Sequence, residues 1–160
     1  MRLGGKAGAL GVSLAGLSLI MLSEGFSDTA VQPLPGDKWT IGYGHTGDVK
    51  PGDSITRREA LDLLGKDVSW AEAAVNRLVT IELKQCEFDA LVSLVYNIGE
   101  TAFASSSLLK ALNRGDRAEV EVQWMRWCYF KGKRVVGLEN RRRRELAVFK
   151  GENSVNDPAQ

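Results

Sequence analysis

SEGF at residues 23–26 and WTIGYGHT at residues 39–46 are the stretches whose reading decides the fold. The first closes an uncharged helical run at Ser23 with a carboxylic acid and then a glycine, and glycine admits the left-handed residue that stops helices. Glu24 therefore projects from a helix end rather than from a solvated helix face. A carboxyl group there meets the negative end of the helix macrodipole, which disfavours its charged form and suits a general acid. The second stretch is a strand carrying Thr40 and punctuated by Gly42 and Gly44, with Gly47 just beyond. Glycines so closely spaced imply tight backbone geometry beside whatever Glu24 faces, and the pair of stretches predicts a two-sided cleft.

Composition sets the frame around that cleft. A chain of 160 residues supports one core, or two small lobes sharing a helix. Lys and Arg number 21 against 20 Asp and Glu, so attraction to a polyanion would have to come from local clusters such as residues 141–144. Nucleic acid is not an expected partner, and the chain is expected to be a monomer. Cys86 and Cys128 stand without a CxxC, and His45 is the single histidine, which leaves no zinc set and no activating base for a thiol nucleophile. No metal or organic cofactor is expected. The two cysteines read as free buried thiols, with a single bridge between them as the alternative.

Residues 7–23 are uncharged and follow Arg2 and Lys6, the layout of a short export signal. They fall short of the ~20 apolar residues that a spanning helix needs. Leu10, Leu14, Leu17 and Met21 fall at helical spacing, so residues 1–23 read first as a helix of the fold. The second reading gives residues 7–23 two tasks: a transient association with a membrane, then refolding as the helix that carries Glu24.

Downstream, two short strands flank a turn at residues 33–37, where PGD supplies turn chemistry. Thr56 and Glu59 form a capping-box pair. From there to residue 78 the apolar positions Ala60, Leu61, Leu64, Val68, Ala71, Val75 and Leu78 predict one helix of ~23 residues, ~35 Å long, joining two lobes. A strongly apolar helix over residues 84–98 is the predicted core of the second lobe. GETAF then interrupts the helical pattern. Short helices follow over 107–113 and 116–127, the latter with Trp124 and Trp127 on one face; after a turn at 131–137 a last helix is anchored by Leu138, Leu146 and Phe149. The expected fold is α+β and mainly helical, a single domain over 1–160. Its parts are a first helix (1–23), a sheet lobe (24–55), a helical lobe (56–150) and a frayed tail (151–160).

Over residues 14–149 the chain resembles the phage-type lysozymes, the endolysins grouped as glycoside hydrolase family 24. The resemblance is carried by SEGF, TIGYGHT at 40–46, ITRREALDLLGKDV, YNIGETAF at 96–103, LLKALNRGD at 108–116 and the arginine-rich terminal helix. It implies a two-lobed fold and hydrolysis of the β-1,4 bond between N-acetylmuramic acid and N-acetylglucosamine. The implied partner is the peptidoglycan glycan strand. The implied setting is the cell wall of a bacterial host, reached from the cytoplasm through a holin or through a weak N-terminal export segment. Glu24 matches the family's acid and Thr40 its threonine beside the attacking water. His45 and Asp67 match a structural ion pair that is lost when His45 deprotonates. Arg141 matches an arginine that reaches the acid and opposes the dipole's effect on it. Tyr43, Tyr96, Asn97 and Arg141 are the candidate substrate-binding residues; packing of Tyr96 and Asn97 on Trp127 is the alternative, as is a solvated face made of all four arginines.

The family's water-holding aspartate has no counterpart. Its usual spacing falls on Pro33 counted from Glu24 and on Leu34 counted back from Thr40, and neither carries a carboxylate. Asp37 and Gln32 are the candidates for that task, Gln32 as a neutral acceptor, with Asp28 a third. Asp37 also reads as a simple turn residue. A different class of function, a membrane-active or polyanion-binding protein using the apolar N-terminus and the basic terminal helix, and a non-enzymatic lysozyme-like domain stand beside the enzyme.

Overall fold

The computed structural model describes residues 8–152, so Arg2, Lys6 and the tail beyond Glu152 lie outside the described residues. Helix α1 spans Leu14–Glu24, which corrects the expected helix over 1–23: residues 8–13 are not helical. Ser13 is the reason. It caps α1 by accepting from the Gly16 N–H, and the chain before it is held extended by side chains from elsewhere. Leu10 exchanges two hydrogen bonds with the Asn76 amide, Val12 N–H donates to Glu72 and Ser13 N–H to Asp89. At the other end Gly25 takes φ 71°, and its N–H bonds to the Met21 carbonyl. Glu24 is thus the last helical residue, one beyond the expected stop.

Strands β1 (Ser27–Val31) and β2 (Thr40–Gly42) form an antiparallel hairpin pairing Ser27 with Gly42 and Val31 with Thr40, with an irregularity between. Residues 53–55 extend the sheet through Ala30 N–H to Asp53 and Ile55 N–H to Asp28. Helix α2 (Arg57–Asp67) starts on the predicted capping box, in which Thr56 and Glu59 each satisfy the other's backbone N–H. The two hydrogen bonds from Thr56 hold the Glu59 carboxyl below its ordinary range.

The single connecting helix expected over 56–78 is two helices, α2 and α3 (Ser69–Leu78), joined at Val68. The Val68 N–H is shared between the Leu64 and Lys66 carbonyls at the C-cap of α2, where the regular helix is interrupted. Apolar periodicity runs through the joint because Val68 is itself fully buried. What differs is the partner: α2 packs on β2, whereas α3 packs on α4 (Gln85–Ile98).

Helix α4 is the core of the second lobe, buried continuously from Glu87 to Val95. GETAF, expected as an interruption, forms the short helix α5 (Glu100–Ala104) that buries Phe103. Helices α6 (Ser107–Asn113) and α7 (Arg117–Met125) follow as expected. The expected turn at 131–137 overlaps a hairpin of β3 (Tyr129–Phe130) and β4 (Lys133–Arg134), and α8 (Val136–Phe149) begins before its end. Trp124 is fully buried with its ring 5.0 Å from that of Phe149. Cys86 and Cys128 are both free thiols. Among the described residues no helix is long and apolar enough to cross a membrane.

Candidate active site

Glu24 leaves α1 where the two lobes meet, and its side chain is 26% exposed. One oxygen accepts from Arg141 Nη1 at 2.8 Å. The other faces the glycine-rich turn after β2, where a Cβ added to Gly44 would lie 3.8 Å from Oε2. Gly44 has φ 88°, a conformation that an L side chain adopts only with strain. The carboxyl is therefore held on one side by a buried guanidinium and open towards the sheet lobe on the other.

Arg141 comes from α8, 117 positions later in the chain. Its side chain is 7% exposed, and the neighbouring Arg142 is completely buried. This corrects the solvated arginine face. The adjacent Arg141 and Arg142 share one buried partner, Glu145, while Arg143 lies on the surface against Glu139. Burial pulls the Arg142 guanidinium below its ordinary range, and Glu145 opposes that pull. The basic cluster that a membrane or polyanion surface would need is thus largely inside the protein.

Tyr96, near the end of α4, faces the same charges. Burial first, then the negative charges of Asp67 and Glu24, push its hydroxyl up to about 12, against an opposing pull from Arg141. It remains a hydrogen-bond donor at any pH the protein meets. Its ring lies against Trp70 of α3 at 6.0 Å. Trp70 is 41% exposed and is not singled out by the sequence reading; its position three residues after Asp67, at the start of α3, is the available signal. Asn97 is exposed, and its Oδ1 accepts from Arg142 at 2.7 Å.

His45 and Asp67 are brought together: Nδ1 lies 2.8 Å from Asp67 Oδ2, while Nε2 lies 3.0 Å from the Gly47 carbonyl. The bridge ties the β2 turn to the end of α2. Tyr43 is corrected from a groove residue to a core residue. It is 5% exposed and its ring packs 5.2 Å from that of Phe26. Its position next to the buried β2 residues Ile41 and Gly42 puts it on the α2 side of the hairpin.

At the hairpin turn Thr40 stands opposite Val31, and its Oγ1 donates to the Val31 carbonyl at 3.4 Å. Gln32 and Asp37 are neighbours: Gln32 Nε2 donates to the Asp37 main-chain carbonyl at 2.8 Å, closing the turn. That leaves Gln32 Oε1 free to accept from water, and Asp37 presents an exposed carboxylate beside it. Asp28 is exposed on β1, and its carbonyl accepts from Ile55 on the far edge of the sheet. Among the described residues no His, Cys, Asp and Glu cluster could hold a metal ion.

The family model described as phage lysozyme matches residues 22–145. The endolysin of Bacillus phage PZA is 44% identical over 140 residues, covering 86% of this chain; the chain spans about half, 54%, of that relative's length. The endolysin of Acyrthosiphon pisum secondary endosymbiont phage 1 is 42% identical over 142 residues, covering 86% of this chain and 97% of that one. Among solved structures, the muramidase domain of SpmX from Asticaccaulis excentricus superposes with a TM-score of 0.80 at 39% identity, over 86% of this chain and 96% of that one. By the family match and by these relatives, this chain belongs to the phage lysozyme family.

Proposed function

We propose that the protein is a peptidoglycan-degrading muramidase. It hydrolyses the β-1,4 bond between N-acetylmuramic acid and N-acetylglucosamine and lyses the host cell from the wall side. The observation that carries this reading is Glu24: a carboxyl group at a helix end between two lobes, with one oxygen on Arg141 and the remaining side exposed. Glycoside hydrolysis needs a proton for the leaving oxygen and a group that positions water on the other face of the sugar. Glu24 supplies the proton. Thr40 and the closed turn of Gln32 and Asp37 hold the water, with Asp37 as the base and Gln32 as the turn's clamp and a neutral acceptor. Tyr96 and Asn97 line the glycan groove from the helical lobe, and Trp70 extends it. The His45 and Asp67 pair keeps the β2 turn in register with the helices.

The test is turbidity loss of outer-membrane-stripped Gram-negative cells with wild type, Glu24→Gln, Asp37→Ala and Gln32→Ala, each checked for folding by circular dichroism. Loss of an acid catalyst costs ~10²–10⁴-fold in rate, so Glu24→Gln is expected to be lytically silent and Asp37→Ala strongly impaired. Lysis by folded Glu24→Gln at the wild-type rate would return the function to the membrane-active class. Normal lysis by Asp37→Ala with loss in Gln32→Ala would move the water-holding role to the amide. Lysis from outside by added protein, without any export machinery, would show that the catalytic step is independent of the route across the inner membrane.

A further inference from the structure

Glu145 is completely buried, and both of its oxygens are occupied. Oε1 accepts from Ser93 Oγ at 2.7 Å, from Arg141 Nε at 3.2 Å and from Arg142 Nη2 at 3.2 Å. Oε2 accepts from Trp124 Nε1 at 3.2 Å and lies 2.9 Å from Arg142 Nε. A carboxylate withdrawn from water is heavily penalised, and well-packed apolar side chains hold helices together at least as well as a buried ion pair. Holding α8 against α4 and α7 therefore does not require this group. What an apolar residue could not do is fix Arg141. That guanidinium is divided between two carboxylates: its Nε goes to Glu145 and its Nη1 to Glu24, with Nη2 3.4 Å from the Ser93 carbonyl. Arg142 in turn reaches Asn97 in the groove from the same anchor.

The charge arrangement has a consequence for the reaction. Arg141, Arg142 and Glu145 together present one net positive charge to Glu24; without the Glu145 charge they would present two. A carboxyl group facing more positive charge is held in its ionised form, in which it cannot donate a proton. The other charged and titratable groups facing this locus are Tyr96 from α4, Asp67 from α2 and His45 from the β2 turn. We propose that Glu145 is a positioning residue for the hydrolysis: it fixes Arg141 and offsets its charge, so that Glu24 keeps the proton it must deliver. The proposal rests on the reading of Glu24 as the general acid.

The experiment is the pH–rate profile of the purified full chain on dye-labelled peptidoglycan, for wild type, Glu145→Gln, Glu145→Asp, Arg141→Gln and Arg141→Gln/Glu145→Gln. Glu145→Gln keeps the side chain's volume and one of its two acceptor oxygens, enough for either Ser93 or Trp124, and is expected to move the alkaline limb down by about one pH unit, the low end of the effect of a charge at this range. Glu145→Asp keeps the charge and is expected to leave the limb in place. In the Arg141→Gln background, adding Glu145→Gln should move the limb by less than it does in wild type, because only the charge of Arg142 is then uncovered and the part of the effect that passes through the placement of Arg141 is gone. That last pair carries the test if Glu145→Gln alone does not fold, since the double variant removes one charge of each sign. A merely structural role would lower the melting temperature in every variant and move no limb; that result overturns the proposal. So does a limb that shifts equally with and without Arg141. Inactive wild type, or active Glu24→Gln, would instead overturn the muramidase reading and is recognisable as such.

Discussion

Gly16→Ala inside α1 should destabilise the protein, against the usual sign for that change. In a helix alanine is preferred over glycine by up to ~1 kcal/mol. At Gly16 an added Cβ would lie 2.5 Å from Val12 Cγ2 and 2.8 Å from both Cγ and Oδ1 of Asp89. Asp89 cannot simply step aside. It is 2% exposed and accepts from Ser13 N–H and Ser13 Oγ and from Gln85 Nε2. Forcing extra carbon into a packed site costs about 1–3 kcal/mol. Hydrogen bonds to a charged group are each worth about 1.5–3 kcal/mol, so weakening one of the three adds to that. Set against the propensity gain, the net is a loss of about 2 kcal/mol, or a fall of roughly 4–8 °C in melting temperature for a chain of this size. The control is Gly65→Ala in α2, where nothing lies within 4 Å of the new Cβ. Calorimetry or a circular-dichroism melt on both variants reads the difference. An unchanged or raised melting temperature for Gly16→Ala would mean that Asp89 does not pin the start of α1, and the account of how α1 is seated would fail with it.

Tyr96 provides a pH test. The unfolded chain releases this proton near 10 and the folded one near 12, so its contribution to stability is complete below pH 10 and is lost as the pH rises to about 12. Urea midpoints of wild type should accordingly fall relative to those of Tyr96→Phe across that window, and parallel curves would refute the burial and charge assigned to the hydroxyl. The thiols provide another. Cys86 is half-buried and Cys128 is 4% exposed, so a thiol reagent should titrate Cys86 in the native protein and both after denaturation. Recovery of no thiol in the denatured, unreduced protein would show a bridge instead.

The readable parts of this chain were those whose cause is local. Gly25 stops α1 because only glycine takes φ 71° without strain, and Thr56 with Glu59 starts α2 through bonds three residues long. The joint at Val68 was hidden because its cause is tertiary: α2 follows the sheet and α3 follows α4, while the hydrophobic period continues unbroken across the buried valine. The β3–β4 hairpin did leave a trace. Lys131 and Gly132 both take positive φ, as a two-residue hairpin turn requires, and a glycine at its second position is the usual sign. Within the site, Glu24 and Thr40 stood out by motif, and His45 and Asp67 by resemblance. The burial of Arg141 and Arg142 did not, although Glu145 stands at helical distance from both, because a run of four arginines looks solvated until Ser93 and Trp124 are seen to close over it.

The way α1 is held follows from the same contrast. Its periodicity suggests an amphipathic helix, yet Leu14 and Leu22 are 68% and 72% exposed, and burial is confined to Gly16, Leu19 and Ile20. Leu17 and Met21 are partly buried against the core, and the helix is also held by polar contacts from residues remote in sequence. Asn76, Glu72 and Asp89 hold its approach and start, and Arg141 holds its last residue. The helix that carries the acid is therefore seated with far less apolar burial than α4, whose central residues are all buried. Hydrogen exchange should show the α1 amides opening before those of α4. Simultaneous opening of α1 and α4 would mean that the polar contacts, with Leu17, Leu19, Ile20 and Met21, seat α1 as firmly as burial seats α4.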